Sequence, residues 1–327
     1  MRRLRPAGLA LAVTVLAGAF ALVPVDFAPA KVQRKERHVS GVDLSGYSTT
    51  PPAGGVDFLF IHHSCGGQWL ADAATATGTV EDSEAEAPCI YPRHAHGGDL
   101  RARLEANGYR VHEASYGSEI GERTDLYDWL PKFRRQMDRV LRTDRNDRLL
   151  PEDRRNRIVA FKSCFPNSDF VGRGLPPGNP EGPELTVANA QATLRELLPE
   201  LAKQPDVLFV YVTAPPLASG GKAPAWKHLA RTARRVWQGR LPVEESGALA
   251  REFNDWVKSP DGWLRDYPLR NVVVFDYFDV LTGGLADVAA FPSAGGDSHP
   301  SSEGNRRATE EFVPFLARAW HRAGMER

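Results

Sequence analysis

The 327-residue chain has only three cysteines and three methionines, and it has no excess of either charge because 41 basic residues balance 41 acidic ones. An odd number of cysteines excludes complete disulfide pairing within one chain. A net charge of zero provides no global field that would attract nucleic acid or an anionic membrane. We therefore expect no nucleic-acid partner. The composition, 42% hydrophobic and 25% charged, is that of an ordinary globular protein.

One long apolar run stands at the start of the chain. Residues 1–30 join a cationic opening, MRRLRP, to the run AGLALAVTVLAGAFALVPV and the small residues Ala28 and Ala30. This pattern predicts a signal peptide and a secreted, extracytoplasmic protein. An uncleaved membrane anchor is the alternative; if the segment is cleaved, we expect no stable membrane partner. Residues 31–55 are polar, contain Pro and Gly without periodicity, and are predicted to form a flexible linker.

The remainder, residues 56–327, alternates short apolar runs with segments of helical spacing. Strands are predicted at 56–61, 109–114, 158–163, 207–213 and 271–276, and helices at 98–107, 126–142, 186–203, 223–238, 244–257 and 302–323. Such alternation predicts one α/β domain with a parallel sheet covered by helices on both faces. Ligands bind such sheets beyond the carboxyl ends of the strands, so the residues that follow each strand are the candidates for function.

Three of these strand ends carry residues suited to nucleophilic catalysis. His62-His63-Ser64-Cys65-Gly66-Gly67 follows the first strand, Lys162-Ser163-Cys164-Phe165-Pro166-Asn167 follows the third, and Asp297-Ser298-His299 precedes the last helix. A serine hydroxyl is a weak nucleophile at neutral pH, and it needs an imidazole base that is itself oriented by a carboxylate or a carbonyl. These segments supply both partners.

This order of residues resembles that of the SGNH (GDSL-like) hydrolase superfamily over residues 56–323. The resemblance implies a three-layer α/β/α sandwich with a five-stranded parallel sheet of the flavodoxin-like type. It implies Ser64 as nucleophile, His299 as base and Asp297 as the orienting acid. The N–H groups of Ser64 and Gly117 and the side chain of Asn167 would donate to the oxyanion. Enzymes of this superfamily cleave acyl esters of sugars or lipids and need no metal or organic cofactor.

Other residues could orient the base or line the pocket. A backbone carbonyl, Asp276 or Asp279 are alternatives to Asp297 as the group that orients His299. His62 and His63 end an alternating strand, so one is expected to pack in the sheet and one, His63, to face the site. Lys162 is expected beside the site, and its burial would require Asp297 or Asp169 as a partner.

The cysteines raise a second possibility at the same turn. Cys65 would be a nucleophile if a histidine lowered its pKa. Outside the cytoplasm a disulfide is the stronger expectation. Cys65 would pair with Cys89 or Cys164, and Cys89 is favoured because such a bridge would tether the polar segment 71–88.

Two other functions compete with the serine hydrolase. His62, His63, His94 and His96 would form a metal-dependent hydrolase site if they came together. A binding domain without catalysis is the other alternative, because fold does not fix function. Core packing is the expected role of most of the tryptophans after the fourth strand, which are Trp226, Trp237, Trp256 and Trp263.

The sequence thus predicts a secreted serine esterase or deacetylase. Its substrate would be a small-molecule or glycan ester, chiefly an acetyl ester of a carbohydrate. We expect it to act as a monomer and to use no cofactor.

Overall fold

A computed structural model describes residues 42–74, 87–220, 224–284, 286–293 and 296–325. The predicted signal peptide, residues 1–30, lies outside the described residues. Within them, the search for a helix of sufficient length and hydropathy to cross a bilayer finds none.

Among the described residues, nine strands form a large sheet and a small one. In chain order they are β1 (Val56–Ile61), β2 (Asp72–Ala73), β3 (Arg93–His94), β4 (Tyr109–Ala114), β5 (Thr143–Arg145), β6 (Arg148–Leu149), β7 (Ile158–Lys162), β8 (Leu208–Val212) and β9 (Val272–Phe275). The large sheet has the order β6-β5-β4-β1-β7-β8-β9, and β2 pairs with β3. Neighbours from β5 to β9 are parallel, and β6 is antiparallel to β5.

The five predicted strands are β1, β4, β7, β8 and β9, and their bounds agree with the sequence to within one residue. The prediction of a five-stranded sheet is incomplete, because β5 and β6 extend it to seven strands. These two strands have three and two residues. Such short strands carry no period that a sequence pattern could reveal.

Eight α-helices lie in the part of the chain that the structure describes. They are α1 (Ser64–Leu70), α2 (Leu100–Glu105), α3 (Trp129–Arg142), α4 (Val187–Ala202), α5 (Ala225–Trp237), α6 (Val243–Lys258), α7 (Tyr277–Thr282) and α8 (Ser302–Ala323). All six predicted helices are present. Neither α1, which has seven residues, nor α7, which has six and begins at the side-chain cap of Asp276, was among the helices predicted from the sequence.

The helices cover both faces of the large sheet, because successive side chains of a strand point to opposite sides. In β1, Phe58 and Phe60 belong to the core that includes α8, whereas Leu59 and Ile61 belong to the core that includes α3 and α4. All six residues of β1 are buried. The predicted three-layer α/β/α sandwich is confirmed.

The predicted linker is described from residue 42 onward. Leu44 is buried and belongs to the same hydrophobic core as Phe58, and Val42 and Tyr47 pack against that core. This part of the segment is therefore attached to the domain.

The order of strands in the large sheet reverses at β1. The chain leaves β1 toward β4 on one side and later returns to β7 on the other, so β1 lies between β4 and β7. Where the strand order reverses in this way, a crevice opens at the carboxyl ends of the strands. Ser64 follows β1, and Cys164 lies two residues beyond β7.

Candidate active site

Ser64 is the first residue of α1, immediately after the turn that leaves β1. His63, the residue before it, has an extended backbone, with φ −118° and ψ −158°. The two glycines that follow allow the short helix to lie close to its surroundings. A Cβ on Gly66 would collide with His62, and one on Gly67 would collide with the carbonyl oxygen of Cys89. The sequence HHSCGG therefore fits this turn for a steric reason.

His299 approaches Ser64 from the other end of the chain. It lies in the loop before α8, whose first turn is capped by the Ser301 hydroxyl, which accepts a hydrogen bond from the N–H of Gly304 at 3.4 Å. The same loop is attached to the segment after β8, because Ser298 Oγ accepts a hydrogen bond from the N–H of Ala218 at 3.0 Å.

Ser64, His299 and Asp297 form one hydrogen-bonded chain. His299 Nε2 lies 2.9 Å from Ser64 Oγ, and His299 Nδ1 lies 2.7 Å from Asp297 Oδ1. The structure thus brings together three residues that the sequence predicted. The arrangement has the geometry in which an imidazole takes a proton from a serine hydroxyl while a carboxylate holds its tautomer.

The carboxylate of Asp297 is held in its charged form. Partial burial by itself would raise its pKa, but hydrogen bonds from the ring and backbone N–H of His299, together with one from Ser293, lower the pKa below its usual value. Ser293 Oγ donates to Asp297 Oδ2 at 3.0 Å. Asp297 is therefore an ionised acceptor for His299 at neutral pH.

The alternative acids have other partners. Asp276 accepts hydrogen bonds from Lys258 at 2.6 Å and from Thr213 at 3.0 Å. Asp279 is paired with Arg251 at 3.1 Å. The group that contacts His299 Nδ1 is the carboxylate of Asp297 rather than a backbone carbonyl.

Gly117 and Asn167, predicted as oxyanion donors, both make other hydrogen bonds in this conformation. The side chain of Asn167 donates to Asp125 at 2.8 Å and accepts from the N–H of Leu126 at 2.8 Å. The N–H of Gly117 donates to Glu122 Oε2 at 2.7 Å. The single N–H of Gly117 is therefore engaged, whereas the Asn167 amide has a second N–H beside the one that donates to Asp125.

The cysteines do not pair as predicted. All three lie within the described residues, and none forms a disulfide. Cys65 contacts Cys164 instead of Cys89, with the two sulfur atoms 3.3 Å apart. Cys164 Sγ also lies 3.6 Å from Ser64 Oγ. The predicted bridge to Cys89 is therefore wrong.

Cys65 is also a poor nucleophile. It is fully buried, and burial raises the pKa of its thiol well above the usual value. The pKa of Cys164 is instead lowered, first by the hydrogen bond from Cys65 and then by the nearby charge of Lys162. Cys164 is therefore the thiol that contacts the hydroxyl of Ser64.

His62 and His63 have distinct environments, as the alternation of β1 predicts. His62 is fully buried, and its Nε2 lies 3.1 Å from Glu113 Oε2. The ring of His63 stacks on Tyr116 with a centroid distance of 3.4 Å. Its Nε2 lies 2.8 Å from the carbonyl oxygen of Gly121.

Lys162 is buried, but neither predicted carboxylate is its partner. Its ammonium donates to the carbonyl of Ser163 at 3.2 Å and lies 5.7 Å from the ring centroid of Tyr277. Asp169 is paired with Arg235 and Arg240, and Asp297 serves His299. The charge of Lys162 is one of the causes that lower the pKa of the Cys164 thiol.

The four histidines of the metal hypothesis are not gathered into a ligand set. In the parts of the chain that the structure describes, no three His, Cys, Asp or Glu side chains are placed to share a metal ion. The rings of His94 and His96 lie 5.4 Å apart. Burial lowers the pKa of His96. Asp297 and His299 lie close enough to His96 for their charges to affect this pKa as well.

Sequence reasoning missed two aromatic neighbours of the site. Phe165 sets the edge of its ring against His299, with a centroid distance of 5.1 Å, and Tyr116 stacks on His63. Both residues follow strand ends, which was the available signal. A cavity of about 410 Å³ begins at Phe165 and Ser298 and extends along α5.

The comparisons with known proteins give matches by structure alone. No family model matches the chain, and no curated protein matches it. The acetylxylan esterase Axe2 from Geobacillus stearothermophilus matches with 14% identity and a TM-score of 0.34, over 85% of this chain and 97% of that one. A carbohydrate esterase family 2 enzyme with a carbohydrate-binding domain, from Corynascus thermopiles (Myceliophthora fergusii), matches with 13% identity and a TM-score of 0.37, over 83% and 68%. At these similarities the function must be argued from this chain's own residues.

The sulfur contact predicts which cysteines oxidation will join. Because a disulfide requires an S–S distance of about 2.05 Å, only a small movement separates Cys65 from Cys164, which are 3.3 Å apart. We expect diamide to link these two residues, as shown by peptide mapping. The Cys89→Ser variant should retain the link and Cys65→Ser should lose it. A link between Cys65 and Cys89 would contradict the structure.

Burial of His63 predicts a loss of stability in acid. Burial lowers the pKa of His63 to about 4, although the Gly121 carbonyl opposes this shift. The unfolded chain binds the proton more readily, so this contribution is complete above about pH 6.5 and is lost as the pH falls toward 4, at a cost of about 3 kcal/mol. Urea unfolding should show a weaker pH dependence for His63→Gln than for the wild type. The control His321→Gln should behave as the wild type, and equal pH dependence in all three proteins would contradict the prediction.

Proposed function

We propose that the protein is a secreted serine esterase that removes small acyl groups, chiefly acetyl, from carbohydrate. The observation that carries the proposal is the hydrogen-bonded chain from Ser64 through His299 to Asp297. It lies at the carboxyl end of β1, where the strand order reverses and ligands bind. The signal-like pattern of residues 1–30 supports export.

The geometry supports a two-step acyl transfer. Ser64 Oγ attacks the acyl carbon while His299 Nε2 takes its proton, and the C–O bond to the sugar breaks as His299 returns that proton to the leaving alcohol. A water molecule then attacks the acyl-Ser64 ester, losing its proton to His299. Acetate leaves, and the hydroxyl of Ser64 recovers its proton. Asp297 stabilises the imidazolium in both steps without taking the proton.

In this conformation the N–H of Gly117 and one N–H of the Asn167 amide already have acceptors. The N–H groups of the first residues of a helix have no intrahelical acceptor, and Ser64 is the first residue of α1. Its N–H is therefore the donor that we assign from the chain's own geometry. Rearrangement of Glu122 or Asp125 on substrate binding would release the N–H of Gly117 or the amide of Asn167 as a second donor.

The surroundings of Ser64 support a small acyl group and a polar alcohol. Cys164 lies 3.6 Å from the hydroxyl, and Phe165 packs on the ring of the base, which leaves little room for a long chain. The adjoining cavity is lined largely by polar side chains, including His228, Arg231 and Ser219. Polar groups of this kind suit the hydroxyls of a sugar.

Hydrolysis of p-nitrophenyl acetate and of acetylated xylan tests the proposal. We expect Ser64→Ala and His299→Ala each to lower kcat/KM by a factor on the order of 10⁴ or more, and Asp297→Asn by about 10² to 10⁴. The control is Ser45→Ala, an exposed serine of the segment before β1. It should retain the activity of the wild type, because surface substitutions of this kind have little effect.

Two results would contradict the proposed function. Activity that survives Ser64→Ala but is abolished by a chelator would indicate metal-dependent hydrolysis. A wild-type protein with no activity on either ester would leave a binding domain on the same fold.

A further inference from the structure

Helix α5 presents its apolar side to solvent, the reverse of an ordinary surface helix. The side chains of Trp226, Leu229, Val236 and Trp237 are 66%, 73%, 58% and 87% exposed. At 100° per residue these four positions fall within one third of the helix circumference. The exposed alanines Ala230 and Ala233 lie on the same side.

The polar side of α5 faces the protein instead. His228, Thr232 and Arg235 are the partly buried residues of the helix, and all three line the cavity beside the triad. Arg235 reaches inward to pair with Asp169. The helix is therefore fixed by its polar contacts, and its apolar stripe, defined by Trp226, Leu229, Val236 and Trp237, is left for a partner.

The stripe is unusual within this chain. Two of the seven tryptophans lie on it, and the other five are buried or partly buried. Contiguous exposed apolar side chains of this size mark interaction surfaces in folded proteins.

The charge around the stripe is positive. Residues 224–242 contain Lys227, Arg231, Arg234, Arg235 and Arg240 and no acidic residue. Asp169 offsets part of this charge through Arg235 and Arg240. Lys227 lies 5.4 Å from the ring centroid of Trp226, so a cation borders the stripe directly.

We propose that α5 docks the protein on an anionic lipid surface. Tryptophans and aliphatic side chains on one face of a helix, with Lys and Arg on the other, are the features of helices that lie in the plane of a membrane interface. Trp side chains favour the headgroup region. Basic side chains are attracted by anionic headgroups, by about fivefold in binding for each residue.

The composition of the stripe favours lipid over a glycan or a second copy of the chain. Trp226 and Trp237 are separated by about 16 Å along the helix, and the residues between them, Leu229 and Val236, are aliphatic. Aliphatic side chains suit acyl chains, whereas a glycan platform requires aromatic faces. A second copy would bring two sets of basic residues together, which an anionic surface would instead neutralise.

Docking through α5 would place the cavity beside the triad next to the lipid surface. The inward side of the helix lines that cavity together with Phe165 and Ser298. The guanidinium of Arg231 lies against Gly296, which precedes Asp297; a Cβ at Gly296 would be 3.1 Å from it. From the sequence we expected no stable membrane partner if the N-terminal segment is cleaved, and the zero net charge provides no global attraction to an anionic membrane. The local charge of α5 supports a reversible, peripheral association that the net charge conceals.

Flotation of the purified protein with vesicles tests this inference. We expect binding to vesicles of phosphatidylcholine mixed with phosphatidylglycerol and much weaker binding to phosphatidylcholine alone. The double variant Trp226→Ser/Trp237→Ser should lower the partition coefficient at least about tenfold, as expected for the loss of two large apolar side chains. Lys227→Ser/Arg234→Ser should lower it about twentyfold or more on the anionic vesicles.

The controls use matched positions away from α5. Leu175→Ser removes a side chain that is 86% exposed, and Arg103→Ser removes an exposed cation on α2. Both variants should bind as the wild type does. Far-UV circular dichroism establishes that each variant is folded, and flotation is read without any enzyme assay, so a failure of the proposed esterase function would not obscure the result.

Three outcomes would overturn the inference. The first is that the wild-type protein does not float with anionic vesicles. The second is that the α5 variants float as well as the wild type. Retention on insoluble acetylated xylan that requires Trp226 and Trp237, without vesicle binding, would instead assign the stripe to a glycan.

Discussion

The contact between Ser64 and His299 is the interaction on which the site depends. It joins the turn after the first strand to the loop before the last helix, residues that are 235 positions apart in the sequence. Neither residue is reactive alone, because the hydroxyl needs a base and the base needs an orienting acid. The sheet makes the contact possible by placing β1 between β4 and β7, so that the turn carrying Ser64 opens into a crevice.

The two sides of this contact differ in burial: one is formed by the buried end of β1 and the other by a partly exposed loop. Beneath Ser64, the buried pair of His62 and Glu113 and the stacked ring of His63 fix the end of β1. Above it, Asp297 and its partner Ser293 hold His299 from a partly exposed loop. Ser64 is therefore presented by the core, and His299 and Asp297 are supplied by a surface loop.

The sequence predicted the five long strands and the three residues of the triad because both follow from position along the chain. It could not predict the hydrogen bond between Asn167 and Asp125, because these residues are brought together only by the fold. The pairing of Cys65 with Cys164 likewise depends on the adjacency of β1 and β7. For α5 the periodicity reveals an amphipathic helix, but it does not tell which face turns toward solvent.

The most direct test of the central claim is to treat the native protein with a fluorophosphonate and map the modified residue by mass spectrometry. The account predicts one adduct per chain, on Ser64, which disappears in His299→Ala because the base no longer activates the hydroxyl. An unmodified wild-type protein, or an adduct on another residue, would contradict the assignment of Ser64 as the nucleophile.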